Sequence, residues 1–180
     1  MKTWIALFRG INVGSTRSVP MQQLRQEMAK HRCADVQTYI QSGNVVFRSE
    51  LATAKEVESL LTRIVEKKHG FAPRVVAVTR TELQKAAAAN PFAQADADPK
   101  RLHLFFLGTK PKKPDLAALE AVKAKSEAFA LQGRIFYLYT PEGFGVSKLA
   151  ERAERLLGVD ATARNWRTVT TLLGMATKYD

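Results

Sequence analysis

Gln37-Thr38-Tyr39-Ile40-Gln41-Ser42-Gly43-Asn44-Val45-Val46-Phe47-Arg48 is the stretch on which the fold turns. Two β-prone runs flank Ser42-Gly43, and a two-residue link ending in glycine is a hairpin signal. Reading outward, Trp4 to Phe8 is a strand, a glycine-containing loop follows, and Met21, Leu24 and Met28 mark a helix face. Val57, Leu60, Leu61, Ile64 and Val65 recur at i, i+3, i+4, i+7 and i+8, the strongest helical period in the chain. Arg74 to Val78 returns as a strand. The order β-α-β-β-α-β is the split βαβ of ferredoxin-like domains.

The second half replays this order. A helix at about Arg80 to Ala89, the turn Asn90-Pro91 and the acidic stretch Ala93 to Pro99 lead into a strand, Arg101 to Leu107. Pro114 opens a helix containing Leu116, Leu119 and Val122. Phe129 to Leu131 and Arg134 to Tyr139 flank the turn Gln132-Gly133, and Leu149, Ala153, Leu156 and Leu157 mark another helix. Gly43 and Gly133 stand 90 positions apart, the spacing of a tandem duplication. The copy departs at its end, where Trp166, Val169, Leu172, Leu173 and Ala176 have helical periodicity. The expected fold is α+β, a tandem pair of ferredoxin-like (βαββαβ, alpha-beta plait) subdomains with an extra C-terminal helix. Residues 1–79 form the first, 80–100 a helix and linker, and 101–180 the second with that helix. Trp4, Ala6 and Phe8 are apolar on one parity, and Ile5 and Leu7 on the other. Strands apolar on both faces call for two covered faces, so the two subdomains are expected to pack together.

Composition bounds the function. The 180 residues carry 28 Lys plus Arg against 17 Asp plus Glu, a formal charge of +11. A 46% hydrophobic share is that of a globular chain rather than a disordered one. No apolar run approaches the roughly 20 residues of a membrane span, and the apolar stretch after Lys2 is too short for a signal peptide. The single Cys33 excludes an internal disulfide and a cysteine metal cluster. A cytoplasmic protein without membrane attachment is expected. The charge is spread evenly: residues 1–90 hold fourteen basic and seven acidic side chains, residues 91–180 fourteen and ten.

Catalytic and metal patterns are absent. His31, His69 and His103 stand alone, without a second ligand at metal-site spacing, so no metal and no cofactor is expected. Four loop-like segments stand out instead: Arg9 to Arg17, Gln41 to Asn44, Pro141 to Lys148, and Thr162 to Thr168. Each mixes glycine or small residues with basic, amide or hydroxyl side chains. Glycine lets backbone N–H groups converge on a ligand, and helix N-termini attract anions. Counting Arg48 beside the hairpin, the segments hold six basic side chains and one carboxylate, Glu142. Each also has a purely structural use, since Gly10 and Gly14 suit a strand-to-helix turn and Ser147 and Thr162 suit helix caps.

Arg9-Gly10-Ile11-Asn12-Val13-Gly14, Val19-Pro20-Met21, Tyr39 to Phe47, Asn90-Pro91-Phe92, Pro141-Glu142-Gly143 with Ser147-Lys148-Leu149, and Thr162 to Val169 resemble the bacterial family catalogued as domain of unknown function 1697. The resemblance runs over nearly the whole chain. It implies two ferredoxin-like subdomains in tandem and brings no established activity, cofactor or catalytic residue.

Three functions fit this reading. The first is a binding module in which the four segments converge into a basic cleft between the halves and hold a phosphate-bearing ligand, a nucleotide or a nucleic acid. Arg9, Lys148, Arg164 and Arg167 would contact phosphate, and Asn12, Gln41, Asn44 and Asn165 would read polar edges, with Gly10, Gly14, Ser42, Gly143, Gly145 and Ser147 shaping the loops. The second is an enzyme acting on an anionic small molecule, with Glu142 as acid or base. The third is a structural or regulatory protein without a small ligand.

Overall fold

The computed structural model describes residues 1–14 and 16–179. They form two compact units, one made of Met1–Lys85 with the segment from Thr171 onward, the other of Ala86–Thr170.

The first unit follows the expected order: β1 (Lys2–Arg9), α1 (Met21–Ala29), β2 (Cys33–Tyr39), β3 (Asn44–Ser49), α2 (Ala54–His69) and β4 (Arg74–Thr79), with α3 (Arg80–Ala88) after it. The sheet runs β2-β3-β1-β4 and is antiparallel throughout, Trp4 lying opposite Phe47 and Thr79. Trp4, Ala6 and Phe8 pack with Leu24, Met28, Leu61 and Val65 of the two helices. Ile5 and Leu7, on the other parity, are buried as well, as the apolar run requires. Two local signals fix α2. Thr53 and Glu56 form a capping box at its start, and Gly70 ends it at φ +76°, a left-handed conformation that glycine adopts without strain. The C-terminal turn closes on the edge strand, where the Tyr179 hydroxyl donates to Asp35 O at 2.9 Å and accepts from Gln37 Nε2.

The second unit repeats the plan with β5 (Leu102–Leu107), α4 (Leu116–Val122), β6 (Ala128–Gln132), β7 (Ile135–Tyr139), α5 (Lys148–Leu157) and β8 (Ala161–Asn165). Its sheet runs β6-β7-β5-β8, again antiparallel. Phe105, Leu107, Phe136 and Leu138 pack against Leu119, Leu149, Ala153 and Leu157. The end of α3 is laced to this sheet, since the buried Tyr137 hydroxyl donates to Ala86 O at 2.7 Å.

The fold is thus the expected α+β tandem of ferredoxin-like repeats, with one correction. Thr162 to Asn165, read as loop, belong to β8, the fourth strand of the second sheet, paired along β5 from Ala161 to Asn165. The C-terminal helix α6 (Trp166–Ala176) follows directly, as α3 follows β4. The duplication is more complete than its sequence pattern: β-α-β-β-α-β-α, twice.

Candidate functional site

Sheet register decides which sequence segments meet. In the first unit, β1 ends at Arg9 opposite Arg74, and Leu7 faces Asn44 beside the β2–β3 turn. The loop after Arg9, the turn at residues 40–43 and the start of β4 therefore share one end of the sheet. Asn12 binds them together from a left-handed backbone at φ +55°. Its Nδ2 donates to Gln41 O at 2.7 Å and Val19 O at 2.9 Å, while its Oδ1 accepts from Val19 N at 2.7 Å. Phe8 N donates to Gly43 O at 2.8 Å, and the buried Asn44 donates through Nδ2 to Tyr39 O and Ser42 Oγ. These two amides, expected to read a ligand edge, hold backbone and loop. A carboxamide carries a donor and an acceptor on a short arm, which suits it to bridging three strands of chain.

Around this clasp the backbone is held in the left-handed region at Gly10 (φ +66°), Gly14 (φ +67°), Arg17 (φ +56°) and Ile40 (φ +49°). Such conformations persist in non-glycine residues only where the surroundings impose them, and they concentrate at functional loops. Gly10, Gly14, Gln41 and Ser42 are exposed, Arg9 half-buried. The Arg17 guanidinium lies 6.0 Å from the Phe71 ring centroid, within cation–π range. Register sets Arg9 opposite Arg74 at this end of the sheet, Arg17 lies on the loop that follows β1, and the segments 9–20, 39–44 and 70–74 contain no carboxylate. Arg74 escaped sequence reading because only register brings it beside Arg9. Arg48, counted with the hairpin, sits opposite Thr3 toward the far end of its strand and pairs with Asp35 at 3.2 Å.

In the second unit, Leu102 faces Tyr139 and His103 faces Asn165. The segments 141–148 and 162–168 therefore leave the same end of that sheet, the end where β5 begins. Thr140 N donates to Arg101 O at 2.8 Å, and Gly143 N donates to Thr140 O at 3.0 Å from a φ of +124°. The buried Ser147 caps α5, its Oγ accepting from Ala150 N at 3.0 Å. Gly145 and Lys148 are exposed beside it, as is Arg167 in the first turn of α6. Asn165 Oδ1 accepts from Thr168 N at 2.9 Å, capping α6. Arg164 donates through Nη1 to Thr162 Oγ1 at 2.7 Å and Ala163 O at 2.8 Å. Burial draws its guanidinium down to about 10, so it remains cationic at neutral pH. His103 stacks on Phe144 with centroids 3.9 Å apart, and burial draws it down to about 4, leaving the ring neutral.

Glu142, the one carboxylate of these segments, is exposed and accepts from Ser126 Oγ at 2.9 Å. It lines a cleft of about 290 Å³ with Ser147, Lys148 and Glu127. Glu127 is buried, its Oε2 accepting from Ala124 N at 2.9 Å. It carried no sequence signal, since it lies outside every glycine-rich segment. Among the described residues, no group of three or more His, Cys, Asp or Glu side chains could hold a metal ion. Cys33 is buried and its thiol is pushed up to about 11 by that burial, which leaves it unreactive at neutral pH. Among the described residues, no helix is long and apolar enough to cross a membrane.

The four segments therefore sort into two pairs, one per unit, at non-equivalent ends of the repeated sheet. Comparison with known proteins gives this arrangement a context. The family described as Protein of unknown function (DUF1697) matches residues 1–137, from β1 through the middle of β7. A conserved bacterial protein from Streptococcus pneumoniae, of solved structure, is 25% identical and superposes with a TM-score of 0.69. The match covers 97% of this chain and 98% of that one, so the similarity spans both repeats. No curated protein matches the chain.

Proposed function

We propose that this chain, which belongs to the DUF1697 family of proteins of unknown function, is a binding module for a phosphate-bearing ligand, a nucleotide or a nucleic acid. One observation carries the reading: Arg9, Arg17 and Arg74 share a sheet end whose loops are fixed in left-handed conformations and contain no carboxylate. Phosphate oxygens are met there by guanidinium groups, which bind them in a bidentate fork, and by the exposed loop around Gly10, Gly14, Gln41 and Ser42. Asn12 serves this site by fixing the loop before the ligand arrives, which lowers the ordering cost of binding. In the second unit Lys148 and Arg167, with Gly143, Gly145 and Asn165, form a second basic set where β5 begins, and Arg164, its guanidinium buried, stands one residue further along, opposite Leu104. The reading places the protein in the cytoplasm, where phosphorylated metabolites and nucleic acids occur.

Calorimetric titration with mononucleotides and with mixed single-stranded oligonucleotides tests it. Binding that weakens about tenfold in Arg17→Ala, with the fold intact, is the expected result. Affinity unchanged in Arg17→Ala, or no heat with either ligand class, overturns it.

A second reading has one observation in its favour. Glu142 and the buried Glu127 line one cleft with Lys148, so an enzyme acting on an anionic molecule would have two carboxylates rather than one for acid–base work. Turnover abolished in Glu142→Gln with ligand affinity preserved would establish it in place of the first.

A further inference from the structure

At the opposite end of the first sheet, where β2 begins and Cys33 faces Ser49, a cleft of about 520 Å³ opens beside the first turns of α2. Arg32, Lys55, Arg63 and His31 line it, with Leu51 and Leu60 supplying apolar surface. The four polar side chains are exposed, and none makes an ion pair or side-chain hydrogen bond among the described residues. Cations grouped without partners repel one another, so the cluster gains when an anion enters. The one carboxylate on the wall, Glu56, is already engaged. It accepts from Ala52 N at 3.0 Å, Thr53 N at 2.8 Å and Thr53 Oγ1 at 2.9 Å.

The backbone that presents the cations is itself constrained. Arg32 adopts φ +57°, costly for a side chain of its size. The conformation is imposed from below: fully buried Ser49 donates its hydroxyl to Arg32 O at 2.7 Å, and Cys33 Sγ donates to His31 O at 3.3 Å. Arg32 and His31 thus project from a fixed turn rather than a loose loop.

We infer that this cleft binds an organic phosphate monoester, its dianionic head on Arg32, Arg63 and Lys55 and its apolar body against Leu51 and Leu60. Two guanidinium forks and an ammonium suit a dianion better than a single carboxylate. The volume lies within the range of small-molecule pockets, roughly 300–1,000 Å³. The site is separate from the loop end of the sheet and does not depend on the function proposed for it.

The test is an NMR titration of the full chain with phenyl phosphate, inorganic phosphate and phenol in turn. Phenyl phosphate should shift the amides of Arg32, Lys55 and Ser59 and the methyls of Leu51 and Leu60, and bind at least about fivefold tighter than inorganic phosphate, since a buried ring adds apolar contact. Arg63→Gln, on the exposed face of α2, and Arg32→Gln should each weaken it about tenfold. Lys112→Gln, on an exposed connector of the second unit, should leave it unchanged. Equal affinity for phenyl phosphate and inorganic phosphate, insensitivity to both variants at the cleft, or loss of binding in Lys112→Gln each overturns the assignment.

Discussion

At the scale of single residues, the two hairpin glycines look alike in sequence and differ in the structure. Both adopt left-handed backbone, Gly43 at φ +76° and Gly133 at φ +60°. A Cβ on Gly43 would lie 2.6 Å from Phe8 Cβ and 2.7 Å from Ile11 Cδ1, both in the core, whereas a Cβ on Gly133 meets nothing within 4 Å. Gly133→Ala should therefore cost only the left-handed conformation, about 1 kcal/mol. Gly43→Ala adds overpacking against a β1 side chain that cannot retreat, and should cost about 3 kcal/mol or more. Chemical denaturation of the two variants checks this, and equal losses would mean that turn chemistry alone fixes Gly43. His103 supports a second expectation at this scale. Burial holds its folded value at about 4 against an ordinary 6.5, so the unfolded chain takes up a proton first as pH falls. The stability that depends on a neutral ring is complete above about pH 6.5 and is lost as pH drops toward 4, amounting to about 3 kcal/mol at most. In His103→Gln the slope of stability against pH in that window should flatten by the share of one proton, measured by urea denaturation at successive pH values.

Elements are fixed by smaller contributions at their ends. Ser147 was singled out in sequence as a residue that either caps a helix or touches a ligand, and its buried hydroxyl accepts from Ala150 N. Ser147→Ala should lower stability by about 1 kcal/mol, while Ser147→Asp, which keeps an acceptor at the N-cap, should recover most of it. Thermal denaturation of both variants decides between cap and contact, since a pure ligand contact would leave the melting temperature unmoved. The same scale shows what sequence could reveal. β3, α2 and α5 announced themselves because their signals are local: a glycine turn, a sustained period, a cap, an apolar stripe. β8 did not. Its Ala161-Thr162-Ala163-Arg164-Asn165 has no strong strand bias and takes its conformation from pairing along β5. The composition of the basic loops was legible, and so was their anion-seeking character. Their grouping was not, because register assigns it: Arg48 adjoins the hairpin in sequence yet points away to Asp35, while Arg74, distant in sequence, stands opposite Arg9.

For the whole molecule the question is which part of the +11 surplus meets a ligand. Some of the charge is balanced locally, as where Lys30 and Lys68 both reach Glu27, at 2.9 and 3.4 Å, and where Arg101 meets Asp98 at 3.0 Å. Much of the remainder, such as Lys110, Lys112 and Lys113, is exposed on connectors that carry no loop clasp. Counterion release separates a local site from a diffuse field, because the slope of log affinity against log salt counts the phosphates neutralised, at roughly −0.7 per contact for a single strand. A ligand held by Arg9, Arg17 and Arg74 should give a slope of about −2, whereas a strand lying over the whole basic surface would give one of about −7. Removing Lys112 and Lys113 together by substitution with Gln should leave both affinity and slope unchanged, while Arg17→Ala should make the slope shallower by roughly 0.7. Fluorescence anisotropy of a labelled oligonucleotide across a salt series measures all three. A slope near the steeper limit that falls with the lysine pair would make the protein a general polyanion binder, and the arginines at the loop end only its densest patch.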